Sequence, residues 1–143
     1  MTLQELSEQY RVYKRKSCPS FPVEYIPKTK YDARTTNGLQ AAITARINIC
    51  NGSYAWRCNS VGILRDGKWT TSGATKGISD ISSVIRTNSG KIIPAFWEIK
   101  FNGDTQSSIQ AKWQDRVEKA GGRYYIVQTW EQFDKLFNEL ISE

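Results

Sequence analysis

The residues best suited to chemistry are Asp80, Glu98 and Lys100, which lie in two successive strand-like segments of the chain. Side chains alternate between the faces of a β-strand, so Glu98 and Lys100 share one face while Trp97 and Ile99 point to the other. If the two segments pair as a hairpin, Asp80 lies beside Glu98. Two carboxylates and a backbone carbonyl form the oxygen-rich site that Mg²⁺ or Mn²⁺ prefers.

This arrangement suits the hydrolysis of a phosphodiester bond. A divalent cation lowers the pKa of its bound water and neutralises the charge that develops on the phosphate. A neighbouring lysine can orient the water or stabilise the pentavalent phosphorane. The alternative is a solvated strand face on which Glu98 and Lys100 form an ordinary ion pair, and an isolated E-x-K motif does not distinguish the two.

The composition removes several other classes of site. The chain has 143 residues and no histidine, which excludes Ser-His-Asp and Cys-His catalysis and histidine-containing zinc sites. The three cysteines, Cys18, Cys50 and Cys58, include no C-x-x-C pair, which argues against a disulfide framework or a structural zinc ion. Catalysis would therefore depend on carboxylates, lysine and a bound metal, and we expect no organic cofactor.

The charge of the chain favours a polyanionic partner. Its formal net charge is +6, from 20 Lys and Arg against 14 Asp and Glu, and the basic excess lies in the first hundred residues. A basic surface holds nucleic acid, although many proteins are equally basic. No apolar run approaches the roughly 18 residues of a membrane span. The segment 1–8 is too polar for a secretory signal, so we expect a cytoplasmic protein without a membrane partner.

Apolar periodicity and turn residues predict an α/β protein with a central mixed β-sheet. After an N-terminal helix, the order is helix, strand, strand, strand, helix, strand, helix, with a polar loop or loose hairpin over residues 62–76. The last strand–helix–strand unit predicts a right-handed parallel crossover. The predicted elements are helices over 3–16, from Thr35 to Asn51-Gly52, from Ser107 to Ala120 and from Thr129 onward, and strands over 54–59, 78–86, 92–101 and 123–127.

Two segments are predicted along the chain. Residues 1–34 form a helix followed by a basic, proline-containing extension that packs on or beside the core. Residues 35–143 form the core domain.

Three motifs together resemble those of the PD-(D/E)XK nucleases. They are T-K-G-I-S-D-I over 75–81, W-E-I-K-F over 97–101, and S-x-x-Q-x-x-W followed by A-G-G over 107–122. Their order and spacing look most like the VRR-NUC branch, which is common in phages, and the resemblance covers about residues 36–133. It implies a restriction-endonuclease-like fold with flanking helices and an N-terminal helical extension.

The resemblance also implies a role for each matching residue. Asp80 and Glu98 would be metal ligands, together with the backbone carbonyl of Ile99, and Lys100 would be the catalytic lysine. Gln110 would face the same site and help to place the water or phosphate, although such a residue is equally compatible with a plain helix surface.

Two further residues that match the family motifs would have structural roles. Ser107 would cap its helix, and Gly77 would let the backbone turn tightly beside the metal.

Two departures from the family pattern bear on activity. The residue before the aspartate is often proline, and here it is Ser79. The first core helix usually begins near a glutamate, whereas this chain offers only Asn37 and Gln40, whose amide oxygens are weaker ligands. The second departure puts a second metal in doubt.

Several basic and aromatic residues are candidates for DNA contacts. The ones nearest the proposed site along the chain are Lys76, Arg57, Arg65 and Lys68, with Trp69 as the aromatic residue most suspected of contacting substrate or a second subunit. A second group forms either a DNA-binding arm or a solvated helix end and linker: Lys14, Arg15, Lys16, Lys28, Lys30 and Arg34, interleaved with Tyr10, Tyr13, Tyr25 and Tyr31. Core or interface positions are expected for Trp56, Trp113, Trp130 and Phe133.

The combined expectation is an Mg²⁺-dependent DNA endonuclease, with Mn²⁺ able to substitute, that leaves 5′-phosphate ends. Small members of the branch are often homodimers acting on branched DNA such as four-way junctions, and a phage protein would work in the host cytoplasm. The alternatives are a nuclease of another specificity, such as a nickase or restriction-type enzyme, and a non-catalytic DNA-binding protein that retains the fold.

Overall fold

The fold is described by a computed structural model, which describes residues 1–58, 63–70, 76–101 and 103–143. At 63–65 and 69–70 it describes the backbone only. Four α-helices, a 3₁₀ turn at Val23–Tyr25 and six strands occur in these ranges. The helices are α1 (Leu3–Arg15), α2 (Thr36–Asn48), α3 (Ser108–Lys119) and α4 (Trp130–Ser142), and the strands are β1 (Tyr54–Arg57), β2 (Ile63–Arg65), β3 (Lys68–Thr70), β4 (Ile81–Arg86), β5 (Ile92–Ile99) and β6 (Arg123–Val127).

The central sheet confirms the predicted α/β class and mixed topology. Its strand order is β1-β4-β5-β6. The pairs β1–β4 and β4–β5 are antiparallel, and the pair β5–β6 is parallel. Helix α3 makes the crossover between the two parallel strands. The strands β2 and β3 form a separate hairpin, which is the second of the two structures predicted for residues 62–76.

One face of the sheet carries the core. Trp97 is fully buried at its centre, stacks on Tyr125 at 4.5 Å and meets Phe133 of α4 edge-on at 4.9 Å. Its indole N–H donates to the hydroxyl of Ser83 at 3.0 Å, so the polar atom of this large side chain is satisfied. Helix α2 supplies Leu39 and other apolar residues to the same core.

Helix α3 lies on the opposite face of the sheet, against its parallel half. Trp113 of α3 meets Phe96 edge-on at 4.9 Å and Tyr124 at 5.9 Å. Glu98 shares this face, because it alternates with Trp97 along β5. The two faces of the sheet therefore separate the hydrophobic core from the candidate chemistry.

Some predicted ends are shifted. Strand β4 starts at Ile81 instead of residue 78, because Gly77 adopts a positive φ and the chain bends at Asp80 before pairing begins. Helix α2 ends at Asn48, before the predicted Asn51-Gly52 stop, and Gly52 instead occupies a left-handed turn position that follows it. The hairpin between β2 and β3 turns at Asp66 and Gly67, both with positive φ, as a two-residue hairpin loop requires.

Helix α1 is part of the core. Leu6 is fully buried, and the indole of Trp130 donates to the backbone carbonyl of Met1 at 2.8 Å. The extension also packs tightly on α2, since a Cβ at Gly38 would lie 1.9 Å from the carbonyl oxygen of Asp32. The domain boundary at residue 34 stays a prediction. Within the described ranges, no helix combines the length and apolar character needed to cross a bilayer.

Replacing Leu6 with alanine should lower the free energy of unfolding by about 2–5 kcal/mol, because a fully buried side chain leaves a cavity. Val12 lies on the same helix with 57% of its surface exposed, and Val12→Ala should change stability by less than about 0.5 kcal/mol. Urea unfolding measures both. Equal effects of the two substitutions would show that α1 does not share the core.

Candidate functional site

Asp80 and Glu98 meet at the end of the β4–β5 hairpin. The register pairs Ile81 with Trp97, and one further step along the same antiparallel register sets Asp80 opposite Glu98. The carboxylate of Asp80 accepts the backbone N–H of Ile99 at 2.8 Å, and the Asp80 carbonyl accepts the N–H of Cys58 at 2.8 Å. The neighbouring strands thus hold Asp80 from both sides.

Glu98 is a buried carboxylate, only 3% exposed, with three donors around it. Its Oε1 accepts from the amide of Gln110 at 2.5 Å and lies 3.1 Å from Nζ of Lys100. The hydroxyl of Tyr124 lies 3.5 Å from Oε2. Burial raises the pKa of Glu98, and the charge of Asp80 raises it further, while hydrogen bonding and charge from Lys100 oppose the shift.

Helix α3 delivers Gln110 to this carboxylate through its own cap. The hydroxyl of Ser107 accepts the N–H of Gln110 at 3.2 Å, and Oε1 of Gln110 accepts the N–H of Ser107 at 2.9 Å. This is a capping box, in which both residues satisfy free donors at the helix start. One end of the Gln110 amide closes the helix, which fixes the other end toward Glu98.

Gly77 brings the loop before β4 against the first turn of α3. Its φ is +78°, a left-handed value that glycine adopts without a steric penalty. A Cβ at this position would lie 2.7 Å from the side chain of Ile109 and 2.8 Å from its carbonyl oxygen. Only a residue without a side chain permits this approach.

Ser79 directly precedes Asp80 in the chain. It is fully buried, and its hydroxyl donates to the carbonyl of Ile81 at 3.0 Å. This hydrogen bond restrains the backbone next to Asp80.

The carbonyl of Ile99 lies on the same side of β5 as Asp80. Lys100 donates its N–H to Val127 of β6, whereas Ile99 donates its N–H toward β4. In a strand, the N–H and C=O of one residue point to the same side, so the Ile99 carbonyl also points toward β4.

The donor set at this position fits a hard divalent cation. The two carboxylates and the Ile99 carbonyl supply oxygen ligands only, as Mg²⁺ and Mn²⁺ prefer. Burial and the negative charge of Asp80 raise the pKa of Glu98, and a cation bound between the two carboxylates would relieve this repulsion. Among the described residues, no group of three or more His, Cys, Asp and Glu side chains could hold an ion, so backbone and water oxygens would complete the coordination.

An open pocket of about 450 Å³ is lined by Lys100 and Gln110, the two residues that contact Oε1 of Glu98. Lys76 and Lys100 line it from the loop and from β5, and Gln110 lines it from α3. The side chain of Lys100 is 16% exposed, which places an ammonium group between the buried Glu98 and the pocket. A phosphate in this pocket would meet two lysines.

The remaining basic candidates are dispersed over the described structure. Arg57 is exposed at the end of β1 and donates to the side-chain oxygen of Asn37 at 2.8 Å, and Lys68 is exposed at the start of β3. The side chains of Arg65 and Trp69 lie outside the described part.

The basic residues of the extension contact their own segment. The ammonium group of Lys14 donates to the hydroxyl of Thr29 at 2.9 Å, and Lys16 lies over the ring of Tyr13 at 5.4 Å. Arg15 is exposed, and Lys28 forms an ion pair with Glu8.

Tyr124 is the residue that sequence reasoning missed. It is 8% exposed, and burial and the charge of Glu98 raise the pKa of its hydroxyl. The register pairs Tyr124 with Phe96, which puts it on the same sheet face as Glu98. The segment 123–127 was predicted only as a buried strand, and alternation within it separates Tyr124 from Tyr125. Which tyrosine faces Glu98 depends on the parallel register with β5, which no sequence motif reveals.

Comparison of the chain with protein-family models, with curated proteins and with solved structures finds no match. The resemblance to the PD-(D/E)XK nucleases therefore rests on the sequence motifs alone.

Replacing Gly77 with alanine should destabilise the protein more than replacing Gly90. Both glycines have positive φ, which costs an alanine about 1–2 kcal/mol, but no atom lies within 4 Å of a Cβ at Gly90. At Gly77 the clash with the Ile109 backbone should add about 1–3 kcal/mol and displace α3. Urea unfolding and Mn²⁺ titration calorimetry measure the two effects. Equal losses of stability and unchanged Mn²⁺ affinity in Gly77→Ala would contradict this role.

Replacing Asp80 with asparagine should raise the unfolding temperature in EDTA, because repulsion with buried Glu98 is removed while an amide oxygen still accepts from Ile99. Saturating Mg²⁺ or Mn²⁺ should raise the unfolding temperature of the unaltered protein and leave that of Asp80→Asn unchanged, because ligand binding stabilises only the form that binds. Differential scanning fluorimetry measures this, with the exposed Asp115→Asn as control. An equal metal-dependent shift in all three proteins would exclude this metal site.

Proposed function

We propose that this protein is a divalent-metal-dependent DNA endonuclease of the restriction-endonuclease-like fold. The observation that carries the proposal is the pairing of Asp80 with buried Glu98 across two strands, next to Lys100 and a pocket. The resemblance to the VRR-NUC branch supports it, and Lys76, Lys100 and Gln110 of the matching motifs line this pocket. The four-stranded mixed sheet with helices on both faces is compatible with that fold.

The residues of the chain divide the work at the proposed site. Asp80, Glu98 and the Ile99 carbonyl would hold Mg²⁺ or Mn²⁺, which supplies an activated water and neutralises charge on the phosphate. Gln110 and Tyr124 hold the Glu98 carboxylate in one orientation by donating to different oxygens. Lys100 places a positive charge at the pocket, where it can orient the attacking water or stabilise the charge that develops on the phosphate.

The proposed substrate is DNA, and in particular branched DNA. The net charge of +6 favours a polyanion, and Lys76 and Lys100 line the same pocket. The preference for junctions or other branched structures, homodimerisation and the release of 5′-phosphate ends come from the resemblance, whereas the proposed cytoplasmic site of action comes from the polar segment 1–8.

One observation favours a second candidate, a DNA-binding protein without catalysis. The first turn of α2 carries no acidic residue, and the amide oxygen of Asn37 already accepts from Arg57. Gln40 is 7% exposed on the same helix. Helix α2 thus offers no carboxylate for a second metal, and we propose that the site binds a single metal ion.

With Mg²⁺ or Mn²⁺, the protein should cleave labelled DNA, and a four-way junction or flap should be cleaved faster than linear duplex. Replacing Lys100 with methionine, which keeps the aliphatic stem, should slow cleavage by about 100-fold or more, because a charge facing the phosphate is lost. Lys119→Met is the control, because Lys119 is exposed and pairs with Asp115 away from the pocket. Gel analysis of single-turnover reactions gives the rates.

The outcomes separate the alternatives. Equal rates on junction, flap and duplex would contradict the preference for branched DNA and favour a nuclease of another specificity. DNA binding that is the same with and without divalent ions, together with no cleavage, would replace the proposal with the non-catalytic candidate. Equal activity of Lys100→Met and Lys119→Met would remove the proposed role of Lys100.

A further inference from the structure

The sheet face that carries Glu98 continues beyond α3 onto β4 and β1. By alternation and strand register, this part of the face presents Tyr54 and Trp56 of β1, Val84 of β4 and Ile92 of β5. The exposed fractions of these side chains are 60%, 43%, 37% and 53%. Of the two positions expected for Trp56, core or interface, its exposure excludes the core. We call this region the outer sheet face.

Tyr54 and Trp56 form an exposed aromatic pair on the outer sheet face. Their rings lie 5.9 Å apart at an angle of 30°, close to a stacked arrangement. Each ring restrains the other, so little side-chain entropy remains to be lost when a third ring stacks on them. Flat aromatic groups held in this way bind unpaired nucleobases irrespective of base type.

The aromatic pair is placed at a useful distance from the candidate site. Trp56 pairs with Ser82, which pairs with Phe96, two residues from Glu98. The backbone positions of Trp56 and Glu98 are thus separated by two strand spacings and by two residues along a strand, which amounts to about 12 Å. A nucleic-acid strand with a phosphate at the carboxylates would therefore bring a base one or two nucleotides away to the aromatic pair.

Positive charge lies at the far end of the same line. Arg86 is exposed on the outer sheet face, and its side chain covers Gly52, which precedes Tyr54 by two residues. Lys76 and Lys100 lie at the near end, around the pocket. Cationic groups at both ends with aromatic rings between them complement a strand of alternating phosphates and bases.

We propose that Tyr54 and Trp56 form a stacking platform for unpaired bases, so that the substrate includes a single-stranded segment beside the cleaved bond. The identity of the ligand as nucleic acid rests on the proposed function. A paired duplex keeps its bases stacked inside and offers them no ring face. The platform would thus make the protein prefer flaps, gaps or open junctions to continuous duplex.

The competing occupant is a second copy of the chain, since exposed apolar sheet faces also mediate dimers. The observations favour nucleic acid, because the line from the pocket to Arg86 is cationic at both ends and each copy carries a net charge of +6. The two occupants respond differently to substitution. An uncharged polar side chain introduced at Ile92 weakens an apolar contact between copies, leaves the aromatic pair in place and adds no charge opposite Arg86.

Fluorescence anisotropy in Ca²⁺ tests the platform without requiring cleavage, using fluorescein-labelled oligothymidylate and a fluorescein-labelled duplex as probes. Trp56→Ala should bind oligothymidylate at least about fivefold more weakly than the unaltered protein. Its affinity for duplex should change by less than about twofold. Trp56→Phe should restore most of the affinity, because phenylalanine retains a stacking face. Ile92→Gln, which adds no charge opposite Arg86, and the exposed aromatic control Phe21→Ala should leave oligothymidylate binding within about twofold.

Two results would overturn the proposal. An equal loss of affinity for both probes in Trp56→Ala would remove the selectivity for unpaired bases. If sedimentation shows that Trp56→Ala and Ile92→Gln both convert a dimer to a monomer and both lose oligothymidylate binding, the outer sheet face is a contact between copies. A protein that binds oligothymidylate through Trp56 but cleaves no DNA would retain the platform and lose the nuclease proposal.

Discussion

The candidate site depends on the backbone hydrogen bonds that force two like-charged carboxylates together. The antiparallel register of β4 and β5 sets Asp80 opposite Glu98, and the N–H of Ile99 binds the Asp80 carboxylate. Burial and the charge of Asp80 both raise the pKa of Glu98, so this arrangement is unfavourable by itself. The strand pairing and the packing around Trp97 must supply the stability that offsets it, and a cation at the same point would remove the conflict.

The surroundings of Glu98 show how helix α3 and the sheet share one task. The capping box of Ser107 and Gln110 starts the helix and simultaneously aims an amide at the carboxylate. Gly77 allows the loop before β4 to approach the same helix turn. Local stability and site geometry are therefore coupled here, because each residue that ends or begins an element also fixes a donor or a wall of the pocket.

The two faces of the sheet divide stability from recognition. The face around Trp97 is closed by α2 and α4 and receives Leu6 from α1, whereas the face around Glu98 is covered by α3 only on its parallel half. The uncovered half leaves Trp56 and Tyr54 exposed next to the candidate site. A sheet that buries one face completely can present the other to a large ligand without losing its core.

The sequence by itself determined the α/β class, the hairpin of β4 and β5, and the grouping of Asp80, Glu98 and Lys100, because alternation and a short turn are local properties of the chain. It also predicted the cap at Ser107. The tertiary structure decided that Tyr124 faces Glu98, that Trp56 is exposed and that Asn37 is bound to Arg57. These features depend on segments distant in sequence. They follow from the register of β6, from where α3 stops covering the sheet and from the packing of α2 beside β1, none of which local patterns encode.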